Sequence, residues 1–216
     1  MISPLVMNLG GGSSGDPSFI NPVTPLVTLT PVDPIYDDKC EVSPAYCVVD
    51  FFLKNGVTHV TLENLSLAEN LISKWTSAPA GFNKTHFINQ MHYSVTYIEG
   101  RFQCVGFAAA VNVSLASTSD WGGTDSGWQG AIQNGLPPQC PIIKRAGEGG
   151  TGGAGAGDMI LWPVDGWYHI AVLSQYRSDG SFTISQANWG GPGVLSNVAG
   201  NNLENYLSNK TVLRCN

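Results

Sequence analysis

Hydrophobic positions along the chain follow two periods, and the change of period falls past its middle. Between Thr61 and Trp75, residues Leu65, Ala68, Leu71, Ile72 and Trp75 recur at the three/four spacing of one helix face. Ser66 with Glu69 three residues later has the form of a capping box, and Pro79 and Gly81 mark the end. A weaker pattern predicts a second helix over Thr85 to Tyr93. After Gly100, the run Cys104 to Leu115 is Ala-rich and apolar on most sides, which predicts a buried helix. A long Gly-, Trp- and Pro-rich loop follows, from Asp120 to Gly157. Strand patterns come next. Met159 to Trp162 is a short apolar run that Pro163 should stop. Tyr168 to Tyr176 and Ser181 to Trp189 flank Ser178-Asp179-Gly180, and Asp-Gly between two such runs signals a hairpin. Thr211 to Arg214 reads as an edge strand. Helices first and antiparallel strands afterwards predict an α+β domain, its N-terminal helices packed on a small antiparallel sheet.

The first segment fits neither period. It carries Gly10-Gly11-Gly12-Ser13-Ser14-Gly15 and then Pro17, Pro22, Pro25, Pro31 and Pro34, so 1–36 reads as a linker or arm. Residues 37–60 read as an extension stapled by a local disulfide, and 61–216 as the folded domain. The 216 residues carry a formal charge of −6, and residues 1–50 hold one cation against six acids. Only 12% of residues are charged, against about 25% in an ordinary globular chain, so neutral polar groups solvate the surface. Ten scattered cations form no basic stripe, which argues against a nucleic-acid partner. Apolar runs such as Phe107 to Val111 are too short to span a membrane. Met1 to Leu9 has no signal-peptide pattern, and an arm without an export signal is expected of a piece of a longer chain.

Five cysteines stand at 40, 47, 104, 140 and 215. None forms C-x-x-C, and His59, His86, His92 and His169 are not at zinc-ligand spacing from them, so no structural metal is expected. Two bridges would use four cysteines. Cys40 with Cys47 would staple a local loop, and Cys140 with Cys215 would tie down the terminus, leaving Cys104 over. Four cysteines allow three connectivities, and five reduced thiols are the cytosolic alternative.

Cys104 opens the predicted buried helix, where roughly half a positive charge and unpaired N–H groups favour thiolate and can hold an oxyanion. The hairpin supplies a base. If Asp179-Gly180 form a two-residue loop, Ala171 faces Asn188, and His169, Ala171, Gln186 and Asn188 share one face. Asn188 is then diagonal to His169, which predicts a His–Asn pair with the other ring nitrogen left for the thiol. A three-residue loop without a compensating bulge would turn Gln186 and Asn188 away.

Four blocks occur in this order: Gly100-Arg101-Phe102-Gln103-Cys104-Val105-Gly106-Phe107, Gly157-Asp158-Met159-Ile160-Leu161-Trp162, Trp167-Tyr168-His169-Ile170-Ala171-Val172-Leu173 and Ser185-Gln186-Ala187-Asn188-Trp189. In these, about residues 61–216 resemble the CHAP family of cysteine, histidine-dependent amidohydrolases/peptidases, whose fold is similar to papain-like and NlpC/P60 domains. The resemblance implies a nucleophile at Cys104, a general base at His169 and an orienting residue at Asn188. CHAP sequences often carry Glu where Gln186 stands. It also implies cleavage of amide bonds in bacterial peptidoglycan, either N-acetylmuramoyl–L-alanine or within the stem or cross-bridge peptide. The implied setting is extracellular, periplasmic or the cell surface, with no cofactor. Gln103 is a candidate oxyanion contact, and Trp121, Trp128, Trp167 and Trp189 are candidates for lining a groove for a sugar–peptide ligand.

Other motifs carry less. Gly147-Glu148-Gly149-Gly150-Thr151-Gly152 matches G-x-G-x-x-G, but it leads into a strand rather than a helix and reads as a loop. Asp120 and Asp125 have too few neighbouring oxygen ligands for calcium and no placed partner for glycoside cleavage. Asn64, Asn83, Asn112 and Asn209 head glycosylation sequons that such a composition produces by chance. The competing function is a wall-binding module that keeps the fold without turnover, an alternative that Gln186 keeps open.

Overall fold

A computed structural model gives the fold and describes residues 35–112, 140–164 and 167–215. The chain divides into two units, Met1–Val32 and Asp33–Asn216, and all the described residues lie in the second. Among them the fold is α+β: four helices, then a six-stranded antiparallel sheet with one short helix before its last strand.

Helix α1 (Pro44–Lys54) falls within the stretch read as a stapled extension. Extended Ser43 caps it by accepting from the Tyr46 N–H, and Pro44 starts it where no N–H is needed. Six of its eleven residues are buried, and it packs against β3 to β5 of the sheet. The Cys40–Cys47 bridge pins its first turn. The run Val48-Val49-Asp50-Phe51-Phe52 is rich in residues that favour strands, which hides the helix in the sequence.

Helix α2 (Leu65–Lys74) is shorter than the span read from Thr61 to Trp75, and it starts two residues before a Ser66 cap would begin it. The Asn64 amide accepts from the Thr61 N–H and donates to the His59 carbonyl, so 61–64 form a turn and Ser66 lies inside the helix. Helix α3 (Lys84–Tyr97), capped by Asn83 on the His86 N–H, outruns its predicted span at both ends. Helix α4 (Cys104–Val111) begins where predicted; its expected continuation past 112 lies outside the described residues.

The strands are β1 (Ile142–Lys144), β2 (Met159–Val164), β3 (Trp167–Tyr176), β4 (Phe182–Ala187), β5 (Leu195–Gly200) and β6 (Thr211–Leu213), with helix α5 (Leu203–Leu207) before the last. They lie in the order β1-β6-β2-β3-β4-β5. Two expectations are corrected. Pro163 does not stop β2: β6 pairs only with Met159 to Leu161, so Pro163 needs no N–H on that side. Residues 211–213 are interior rather than an edge, because β1 adds outside them. The Cys140–Cys215 bridge joins the flanks of these two strands. β1, β5 and α5 were not foreseen, being three to six residues long with little periodicity.

Alternation in the strands separates two cores. Met159, Leu161, Ile170, Val172, Ala187 and Leu195 join α1–α4 in the larger one. Ile160, Ala171, Leu173, Phe182 and Ile184 join Leu203 and Leu207 of α5 in the smaller. The sheet is thus covered on both faces.

Candidate active site

The cysteine side is set by backbone packing. Gly100 turns the chain at φ 71°, and Phe102, fully buried, donates its N–H to the Val60 carbonyl at 2.9 Å. Its ring meets Phe87 and Phe107 edge-on. Gln103 is the extended N-cap of α4, and its N–H donates to Ser94 Oγ of α3 at 3.0 Å. A Cβ on Gly106 would stand 2.3 Å from that same oxygen, so glycine is what lets α4 lie against α3. Cys104 follows as the first helical residue, buried and in neither disulfide.

The histidine side is set by register. The hairpin loop is longer than expected: the Arg177 N–H donates to the Ser181 carbonyl across three residues, with Gly180 at φ 84°. That slip alone would flip the faces. A bulge between Leu173 and Gln175 adds a second one, and Val172 pairs with Ser185. Two one-residue slips restore the parity. His169 and Gln186 therefore still share a face, but the pairing has moved by two. Gln186 becomes the diagonal neighbour, and its Oε1 lies 3.0 Å from His169 Nε2. The hydrogen bond anticipated from Asn188 is made by Gln186.

Gln186 Nε2 donates to Ser196 Oγ at 3.2 Å, which directs its carbonyl oxygen at the ring. Nε2 of His169 then carries the proton, and the lone pair of the neutral ring sits on Nδ1. His169 is fully buried, with Trp162 and Trp189 at 4.7 and 4.6 Å between ring centroids. Burial pushes its pKa down to about 4, although the Gln186 bond pulls the other way. The ring is neutral at neutral pH.

The two sides approach from opposite faces of the sheet. His169 pairs across from Trp162, which touches Tyr206 of α5. Helix α4 lies in the other layer, with Ile170 and Val172. They converge at one end. Asn188, just past β4 at φ 59°, donates to Gln103 Oε1 at 2.6 Å and accepts from the Gly193 N–H at 3.0 Å. This clasp fixes the tip of α4 to the sheet end where Trp189 lies against His169. Gln103 also donates to Glu99 at 2.9 Å, so both ends of the amide predicted near an oxyanion are engaged as a strut.

Trp189 is 39% exposed and, with Arg101, Asn188, Gly190, Gly191 and Pro192, lines a hollow of about 520 Å³. Trp167 contributes backbone to β3, whereas Trp121 and Trp128 lie outside the described residues. His86 and His92 contact the Ala109 carbonyl and Glu69, each at 2.7 Å, and His59 contacts Thr58, so all three have structural partners. Among the described residues no three His, Cys, Asp or Glu side chains are grouped to hold a metal, and no helix is long and apolar enough to cross a membrane. Sequence reasoning missed Ser94, Trp162 and Ser196. Trp162 was findable from the β2–β3 register had the strand been carried past Pro163; Ser196 sits on a strand without a pattern.

No family profile matches the chain, and no curated protein sequence matches it. Among solved structures it is similar to an N-acetylmuramoyl-L-alanine amidase from Staphylococcus aureus, at 13% identity over 69% of this chain and 50% of that one, with a TM-score of 0.37. The chain therefore spans about half the length of that amidase.

Proposed function

We propose that the chain carries a CHAP-like domain over 61–216 that cleaves amide bonds in bacterial peptidoglycan by thiol chemistry, outside the cytoplasm. The observation that carries this reading is the shared sheet end, where the Gln103–Asn188 clasp holds the α4 tip beside Trp189 and His169. Two disulfides fit an oxidising setting.

Acyl transfer asks the Cys104 thiol to meet Nδ1 of His169 around this end. The neutral ring takes the thiol proton as sulfur attacks the carbonyl, and the imidazolium is held through Nε2 by Gln186. The Cys104 N–H and the helix end stabilise the oxyanion. His169 returns its proton to the leaving amine, and water then resolves the thioester. Asn188 acts on the nucleophile's helix rather than on the ring. Gln186 lacks the charge of a carboxylate, so the resting pair is thiol and imidazole rather than an ion pair.

A second reading is a wall-binding module without turnover. It is favoured by a base whose burial opposes protonation and which is held by the neutral amide of Gln186 rather than by an acid that would stabilise the imidazolium. Incubation with purified peptidoglycan separates the two, with mass spectrometry of the released fragments. The enzyme reading expects new termini that name the bond and a loss of at least about 10³-fold in Cys104→Ala. Binding to walls with no released amine in the unmutated protein overturns it.

A further inference from the structure

The hollow beside the α4 tip holds a cation with unused donors. Arg101 stands three residues before Cys104, between Gly100 and the fully buried Phe102, so its backbone is fixed by the same turn that starts the helix. Its side chain is 35% exposed, and Nη2 pairs with Glu99. That is its one hydrogen bond among the described residues. Its Nε lies buried with no acceptor. A guanidinium has five N–H donors in a planar fork that matches a carboxylate in two-point contact. Glu99 accepts from Arg101 and from the Gln103 amide through one oxygen, so it holds a single corner of the guanidinium.

The other walls are of a different kind. Trp189 offers a half-exposed indole whose opposite neighbour is the His169 ring, and Pro192 closes the far side. Gly193 seats this loop: a Cβ there would fall 2.2 Å from the Val60 carbonyl oxygen, and its own carbonyl accepts from the Val60 N–H at 3.0 Å. The hollow is therefore built on pinned backbone, with one cationic wall and one aromatic wall, one ring away from His169.

We propose that this hollow is a subsite for a substrate residue bearing a free carboxylate, received by Arg101 and packed on Trp189. The inference rests on the amide-hydrolase reading and sharpens it: the favoured substrate is an acidic peptide, such as a wall stem peptide with free carboxyl groups, rather than a neutral glycine bridge or glycan alone.

The test compares two disaccharide-peptide substrates that differ only in a free carboxylate against a carboxamide beside the scissile bond. The ratio of their kcat/KM values is the readout, measured with the unmutated chain, Arg101→Gln and Arg101→Lys. The free acid should be preferred by about tenfold or more, the ratio should fall towards one in Arg101→Gln, and Arg101→Lys should keep part of it. A ratio near one in the unmutated chain, or one unchanged in Arg101→Gln, overturns the subsite while leaving hydrolysis intact. A second measurement needs no turnover: titration of Trp fluorescence in Cys104→Ser with each peptide. Tighter, salt-sensitive binding of the acid supports the subsite even if no amine is ever released, in which case only the hydrolase reading fails. Equal binding of acid and amide sinks the subsite.

Discussion

The hairpin half of the candidate site and the helix half are held by different kinds of constraint. His169 depends on a ladder in which errors come in whole residues, and a single slip would carry it to the other face. Cys104 depends on the approach of α4 to α3, where Gly106 and Ser94 leave no room for one carbon atom. The first half should tolerate changes of side-chain volume and fail on changes of loop or bulge. The second should do the reverse. Gln103 and Asn188 join them, so the joint can be loosened without touching either constraint.

The largest effect expected from breaking this comparison is on the hairpin side, by acid. His169 has a folded pKa of about 4, below its ordinary value of 6.5. Between those values the unfolded chain binds the extra proton and the folded one does not, so stability rises with pH across that window. The contribution is complete above about pH 6.5 and is lost as pH falls to about 4, on the order of 3 kcal/mol in all. Urea unfolding at pH 7.5 and 4.5 measures it. Asp37 does not confound the window: burial raises its pKa, but donors from Ser77 and Thr76 outweigh that and hold it at about 2. Gln186→Glu sharpens the result, because a carboxylate at the Gln186 position raises the pKa of the ring and shrinks the loss. A flat stability between pH 6.5 and 4 in the unmutated protein would remove the buried neutral ring from the account.

On the helix side, Gly106→Ala is the next largest. The added methyl must displace Ser94 or tilt α4, and overpacking of this kind costs about 1–3 kcal/mol. Displacing Ser94 Oγ also removes the acceptor of the Gln103 N–H. Denaturant midpoints should fall while the acid transition of His169 keeps its position. Pairing with Ser94→Ala tests the cause: the double variant recovers part of the loss only if the hydroxyl is the obstacle.

How much of this was legible in the sequence follows from the same division. Local signals located α4 at Cys104 and the hairpin at Asp179-Gly180 because each depends on a few adjacent residues. Parity at His169 and Gln186 was predicted correctly from a loop length that was wrong by one, since the bulge at Ser174 restored it. Nothing near Ser174 announces that bulge, so Asn188 was assigned the contact that Gln186 makes. The opposite facing of α4 and His169 was invisible for another reason. It depends on which side of the sheet the helices pack, and β4, buried at every position, has no solvent-facing side to tell. Helix α1 escaped because Val48, Val49, Phe51 and Phe52 favour strand, and β1 and β5 because they are too short for periodicity.

The smallest expected effect addresses the joint itself. Asn188 holds φ 59°, a region glycine enters without the penalty of about 1–2 kcal/mol that a Cβ incurs. Asn188→Gly therefore keeps the backbone turn and deletes only the bonds to Gln103 and Gly193, for a net loss of about 1 kcal/mol. Asn188→Ala deletes the same bonds and adds the strain, so it should be the worse of the two by roughly 1 kcal/mol. The informative readout is which half responds. With the clasp gone, Cys104 should react faster with a thiol reagent as the α4 tip loosens, while the Gln186 bond keeps the acid transition of His169 where it was. If the acid transition moves in Asn188→Gly as well, the two halves touch each other directly, and the division between a register-held base and a packing-held thiol is wrong. An unchanged labelling rate would mean instead that Ser94 and Gly106 fix the tip without help from the sheet.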